Sequence, residues 1–366
     1  MRDTDIAHIW QDAATFDRTL KARPDQLARL RRKQVHAASY TRQALFNAMA
    51  RGEPAVLAGV QVSVAGSDRL GLEAALVKHV GSGFDAHQRA NAQIGPSQRR
   101  TRLGVHELMR KWSSRRSLVS VTDLHIRGTP LERKIDTAQL SAFNLLPQGS
   151  EGMQRQEMMT LVIGARGNVT DSHSDDPDGS NHCFMGRKLW LAWETFEGIQ
   201  AGLQDCERGL VRGRARFNLD RFCELKSARW WTVEPGETLF LPGRLTHKVV
   251  TLDAYLGIGS FYVAPVSCLD SLSRWYLHQP LWSLDDPRGE NAGLVDEIAG
   301  AMRRQLQKLA RQSLARKQQW GLDFVRPATE RWMRNWSRQQ RNALMARAPF
   351  VRVMEALQQA GSVAGV

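Results

Sequence analysis

The chain has 366 residues, 42% of them hydrophobic and 24% charged, with a formal net charge of +14. Its length and apolar content are those of a globular protein that builds a core in one large domain or two, without disulfides or structural metal. The four cysteines, Cys183, Cys206, Cys223 and Cys268, contain no C-x-x-C pair that would suggest a zinc or redox site, and they read as reduced thiols in a cytoplasmic compartment.

No secretory signal is expected from Met1-Arg2-Asp3-Thr4-Asp5, which is charged where an apolar run would be needed. Residues 1 to 116 read as a mainly helical flank: Leu20, Leu27, Leu30, Val35 and then Leu45, Phe46, Met49 recur at helical intervals between basic residues. Within it Ala55 to Val62 predicts one early strand, and Gly81-Ser82-Gly83 a loop. From 117 to 265 short β-like runs alternate with turns: Ser117 to Val121, Met158 to Ile163, Cys183 to Trp193, Trp230 to Val233, Thr238 to Leu241, His247 to Thr251 and Tyr255 to Val263. That texture predicts an all-β core of barrel or sandwich type with helical flanks. From 266 to 366 helices return, with Leu294, Ile298, Met302, Leu306 and Leu309 on one face, a break at Asp323 to Pro327, and Trp332, Trp336, Leu344 and Met345 in a later run. The longest apolar stretches, such as Leu256 to Pro265, are too short to cross a membrane, so no membrane partner is expected.

The positive charge falls in patches: Arg29, Arg31, Arg32 and Lys33; then Arg99, Arg100, Arg102, Arg110, Lys111, Arg115 and Arg116; then twelve Lys/Arg between residues 301 and 350 against Asp323 and Glu330. Such fields favour an acidic partner or nucleic acid, although they also suit a solvated surface, and no nucleic-acid-binding signature accompanies them.

His173-Ser174-Asp175 places an imidazole and a carboxylate two residues apart, on the same face of an extended strand. His247, after the turn and strand Pro235 to Pro242, is the candidate third ligand of a two-histidine, one-carboxylate facial triad for iron(II). An H-x-D triplet by itself carries little weight. Its surroundings carry more: Gly167-Asn168-Val169-Thr170 precedes it, Gly186-Arg187-Lys188 leads into the apolar run Leu189-Trp190-Leu191, and Phe217 to Phe222 connects to the later strands.

In order and spacing, these elements over about residues 140 to 265 resemble the JmjC-domain family of iron(II)- and 2-oxoglutarate-dependent oxygenases, especially its hydroxylase branch, which includes the asparaginyl hydroxylase of hypoxia-inducible factor. The resemblance implies a double-stranded β-helix, or cupin-type jelly-roll barrel, with His173, Asp175 and His247 binding iron. It implies Lys188 pairing with the distal carboxylate of 2-oxoglutarate and Thr170 hydrogen-bonding to it. Another polar cofactor contact after the last histidine falls to Ser260, and Asn144 and Thr160 stand as polar substitutes for an aromatic contact from an earlier strand. A buried dicarboxylate end needs a cation, which agrees with Lys188 in this role.

The implied reaction is hydroxylation of a C–H bond, with a protein or peptide side chain as leading substrate, a free amino acid or natural product next and N-methyl demethylation third; ascorbate would support it in vitro. The carboxy-terminal helices resemble those with which such hydroxylases form homodimers. Two other classes remain open: a metal-dependent isomerase or hydrolase on the same ligands, and an inactive cupin binding module that docks an acidic partner or nucleic acid. His182 reads as a packed histidine and His125 as structural, while the carboxylates of Asp176-Pro177-Asp178-Gly179 read as solvent-facing. Trp320, Trp332 and Trp336 read as helix-packing residues.

Overall fold

Runs of alternating and doubly apolar residues become strands wherever two faces must be buried at once. In the computed structural model, the described residues are 24–83, 89–94, 99–114, 118–126, 128–141, 143–146, 159–175, 177–206, 217–285 and 293–361. Leu20, Arg115, Arg116 and Asp176, named above, lie outside them. The strands are β1 (Ala38–Ser39), β2 (Ala55–Ala58), β3 (Ser63–Val64), β4 (Arg89–Ile94), β5 (Arg99–Gly104), β6 (Val119–His125) and β7 (Ile135–Asp136). There follow β8 (Met159–Gly164), β9 (Val169–His173), β10 (Asp178–Met185), β11 (Lys188–Glu194), β12 (Arg229–Val233), β13 (Glu237–Leu241), β14 (Leu245–Thr251) and β15 (Tyr255–Tyr262).

The fold is mixed α/β, dominated by a large, mostly antiparallel sheet in the order β1-β2-β13-β10-β15-β8-β6-β4-β5. A second, antiparallel sheet has the order β12-β11-β14-β9. From β8 onward the chain passes between the two sheets at almost every turn. The sheets share an apolar core: Val162, Cys183, Leu239 and Tyr255 from the large one meet Trp190, Ala192, Trp231 and Val249 from the small one. Because side chains alternate along a strand, the opposite face of β11, with Leu189, Leu191 and Trp193, packs under Phe217, Leu219 and Phe222. The outer face of the large sheet, with Leu161, Ile163, Leu256 and Ile258, is covered by helices and forms the largest core.

Three expectations need correction. The first 116 residues hold not one strand but five among the described ones, beside their helices, and β1, β2, β4 and β5 extend the large sheet. The run from Cys183 to Trp193 is two strands, broken where Gly186 takes φ +79° and the chain turns from one sheet to the other. A Cβ at Gly186 would run into the Ala254 carbonyl, so both conformation and space favour glycine there. Finally, Gly81-Ser82-Gly83 ends a helix, Leu72–Gly83, rather than forming a loop.

The carboxy-terminal helices are tied to the sheets by buried polar contacts. Asp270, in the helix Cys268–Asp285, pairs with Arg331 of the helix Val325–Asn335 and also accepts from Trp336 Nε1 at 2.9 Å. Trp332 Nε1 donates to Ser273 Oγ at 2.8 Å, and Arg274 reaches back to the Gly243 carbonyl just before β14. Asp270→Ala would leave Arg331 buried and unpaired, so urea unfolding is expected to show a loss of about 3–5 kcal/mol. A loss below about 1 kcal/mol would mean that water satisfies the guanidinium. Not all the basic patches are solvated: Lys33 folds inward onto the Leu225 carbonyl, and burial lowers its pKa. Arg304, Lys308 and Arg311 do form an exposed row on the helix Leu294–Ala310 and just past its end, opposite buried Ile298, Met302, Leu306 and Leu309. Among the described residues, no helix is long and apolar enough to cross a membrane.

Candidate metal centre

The small sheet brings the three candidate ligands together. His173 closes β9 and is paired in register with His247 of β14, and their ring centroids are 4.3 Å apart. Asp175 lies two residues beyond the end of β9, with Oδ2 3.7 Å from His247 Nε2. The ligand atoms of His173, Asp175 and His247 all lie within 4.8 Å of one another, so the group can hold a metal ion.

Tautomers are set from behind. His173 Nδ1 lies 2.7 Å from the Asp171 carbonyl and His247 Nδ1 3.1 Å from the Leu245 carbonyl. Each ring can donate Nδ1–H to that oxygen, which leaves the Nε2 lone pair for a cation, the arrangement usual behind metal-bound histidines. His247 is held well below the ordinary histidine pKa, by burial first and by nearby His173 second, and so stays a neutral donor. Burial pushes the Asp175 carboxyl up, with His173 partly opposing the shift. A desolvated carboxylate beside two imidazoles is a donor set that a divalent cation would satisfy.

These ligands open onto a cavity of about 610 Å³ between the two sheets. Its wall includes the three candidate metal ligands, His173, Asp175 and His247, together with Lys188, Thr170 and Ser260. The small sheet arranges them in tiers. His247 faces Ala192 on β11; two residues on, Val249 faces Trp190 and Thr170; two further, Thr251 faces Lys188. A register shift between β9 and β14 puts Thr170 and His173, three residues apart, on the same side. At the far tier the sheets close together, since a Cβ on Gly164 would stand 3.0 Å from Thr251 Oγ1.

Lys188 is 4% exposed and lies at this closed end. Its Nζ sits 4.4 Å from the centroid of the Tyr255 ring, and burial lowers its pKa to about 8. Among the described residues no carboxylate pairs with it. A buried ammonium that faces a cavity, with an aromatic face and a thiol beside it but no carboxylate among the described residues, suits an anionic ligand.

The other candidates fall in different places. Thr160 lines the cavity and bonds to the Thr122 carbonyl at 3.2 Å, whereas Asn144 caps backbone N–H groups of Leu146 and Val263 away from it. Ser260 borders the cavity, but it pairs with Met159 and alternates with Ile258 and Tyr262, so its side chain shares the helix-covered face. His182 is packed: Thr238 Oγ1 lies 2.8 Å away and Phe184 meets it edge-on, and burial lowers its pKa to about 4. His125 is exposed on β6. Trp320 and Trp332 are buried among the carboxy-terminal helices, and Trp336 packs against that core. Asp178, expected in solvent, is buried, accepts from Gly243 N at 3.1 Å and has its pKa raised to about 6 by that burial. Sequence reasoning missed Asn181, Trp190 and Tyr255; for Trp190 and Tyr255 the continuously apolar character of β11 and β15 was the available signal, because a strand buried on both faces presents alternate residues to the inter-sheet side, whereas polar Asn181 on β10 carried none.

No protein-family model matches the chain, and no curated protein aligns with it significantly.

Proposed function

We propose that the protein is an iron(II)- and 2-oxoglutarate-dependent oxygenase of the JmjC type, hydroxylating a C–H bond of a protein or peptide side chain. The reading assigns strands β8 to β15 to a double-stranded β-helix. In its favour, β8, β10, β13 and β15 are neighbours in one sheet, β9, β11, β12 and β14 make up the other, and the two enclose the cavity.

The observation that carries the proposal is the distance between unlike sites in one cavity. The triad sits at one tier, and an unpaired, buried lysine enters from a position four residues along the paired strand, about 13 Å away. A Lys side chain spans part of that length, and a five-carbon dicarboxylate chelating the metal through one end suits the remainder. Lys188 would bind its distal carboxylate, and Thr170, on the tier between, would donate a hydrogen bond to it. Asp171 and Leu245 would keep the two imidazoles oriented for the metal, and Trp190 with Val249 would exclude water between the tiers. When bound, iron(II) and 2-oxoglutarate supply the oxidising chemistry: dioxygen places one oxygen atom in the hydroxylated product and the other in succinate, with release of carbon dioxide.

The test is succinate formation by the purified protein with iron(II), ascorbate, oxygen and 2-oxoglutarate, beside a His173→Ala control. Iron-dependent succinate that vanishes in the control is expected. If none forms, binding of 2-oxoglutarate to the metal-loaded protein decides, and absence of binding as well would remove the oxygenase reading.

A further inference from the structure

Strand β15 presents Tyr255, Gly257, Gly259 and Phe261 to the inter-sheet side, as shown by their pairing with Gly164, Val162, Thr160 and Gly179. The two central positions therefore carry no side chain, so that strand itself supplies no polar group there. Tyr255 leans into the space. Its hydroxyl donates to Asn181 Oδ1 on β10, two tiers along, and a Cβ on Gly257 would stand 2.7 Å from that hydroxyl and 2.8 Å from the ring carbon beside it. A Gly257 Cβ would also lie 2.6 Å from the His182 carbonyl, so the strand spacing itself keeps this position a glycine. The result is a tyrosine laid flat along its own strand, fully buried, with one face under the Lys188 ammonium.

We propose that Tyr255, pinned over Gly257 by Asn181, is the positioning residue of the anion subsite: its ring holds the Lys188 ammonium charged and aimed along the cavity, so that the protein selects dicarboxylate over monocarboxylate 2-oxo acids. The proposal rests on the oxygenase reading above. Among the described residues, the ring face is the only electron-rich partner found beside Lys188 other than the Cys183 thiol. The thiol is no competitor for the charge, because burial raises the Cys183 pKa to about 12 and keeps it neutral. A protein carboxylate in the ring's place would neutralise the lysine and turn away an anionic ligand. The aromatic face stabilises the cation without cancelling it, a contribution that grows when the pair is desolvated.

The test is calorimetric titration of the manganese(II)-loaded protein with 2-oxoglutarate and with 2-oxobutanoate, which lacks the distal carboxylate. The variants are Tyr255→Phe, Tyr255→Leu and Asn181→Ala. Tyr255→Leu is expected to lower 2-oxoglutarate affinity about tenfold and to leave manganese and 2-oxobutanoate affinity unchanged, so that discrimination between the two acids collapses. Tyr255→Phe and Asn181→Ala keep a ring but free it, and a loss of about threefold with the same selectivity signature is expected. A merely structural tyrosine would weaken both acids and the metal together, and that outcome overturns the proposal. So does wild-type discrimination in all three variants. If Tyr255→Leu does not fold, Tyr255→Phe decides by the same ratio. Failure of the wild-type protein to bind 2-oxoglutarate would instead overturn the oxygenase reading and the proposal with it.

Discussion

His173→Ala, Asp175→Ala and His247→Ala are each expected to abolish turnover and to lower divalent-metal affinity by more than about 100-fold, since even residues that only orient metal ligands are commonly worth 10- to 100-fold. The two histidines approach each other across paired strands, and Asp175 Oδ2 is 3.7 Å from His247 Nε2, so no other described side chain stands ready to replace a lost ligand. The fold should persist. His247 is buried but neutral, so its removal deletes packing rather than stranding a charge. Asp175→Ala removes a desolvated carboxylate and is expected to stabilise the metal-free protein slightly. Manganese(II) titration with thermal unfolding separates the two effects. Wild-type metal affinity in any single variant would strike that residue from the centre, and unfolding of all three would make the cluster structural.

Lys188→Met is expected to cost 2-oxoglutarate at least about 30-fold in affinity, the range for deleting one partner of a buried charge-assisted pair. Metal binding should be unaffected. In the wild-type protein, affinity should fall as pH rises through about 8, where the free lysine loses its proton. The decline would approach roughly tenfold per pH unit until the higher pKa of the liganded lysine is reached. Stability of the ligand-free protein should move the other way. The folded-state pKa of Lys188 lies below its ordinary 10.5, so between about 8 and 10.5 the unfolded chain binds more protons at this site than the folded one. This site's contribution to stability therefore rises with pH across that window, and its burial penalty is fully present below about 8. Lys188→Met removes the penalty along with the affinity. Opposite slopes for affinity and stability, both flattened in the methionine variant, are the signature. An unchanged 2-oxoglutarate affinity would sink the assignment of Lys188.

The strands that hold the site were legible where burial leaves a pattern. Met159 to Gly164, Thr238 to Leu241 and Tyr255 to Tyr262 are apolar runs bounded by turn residues, and they are strands in the structure. Strands β4 and β5 left no such pattern. Arg89–Ile94 and Arg99–Gly104 are polar sequences that become extended by pairing with each other and, for β4, with β6. The spacing of Thr170 and His173 is odd for one face of a strand, and only the register shift opposite His247 and Val249 reconciles it. Ser260 was placed by its chemistry, but strand parity hands the inter-sheet side to Gly257 and Gly259, which carry no hydropathic signal. Asp178 looked like a solvated turn residue because its local sequence is acidic; tertiary contact with Gly243 buries it.

The ties between the last helices and the turn before β14 bear on how the molecule could be divided. Arg274 hydrogen-bonds the Gly243 carbonyl, the Asp270–Arg331 pair borders the same small void as Asp178 and Gly243, and His247 follows four residues after that glycine. Residue 265 is therefore a change of texture rather than a joint: a fragment ending there would lose the partners of the turn that leads into His247 and expose the helix-covered face of the large sheet. Excision is expected to yield an aggregating β fragment rather than a minimal enzyme.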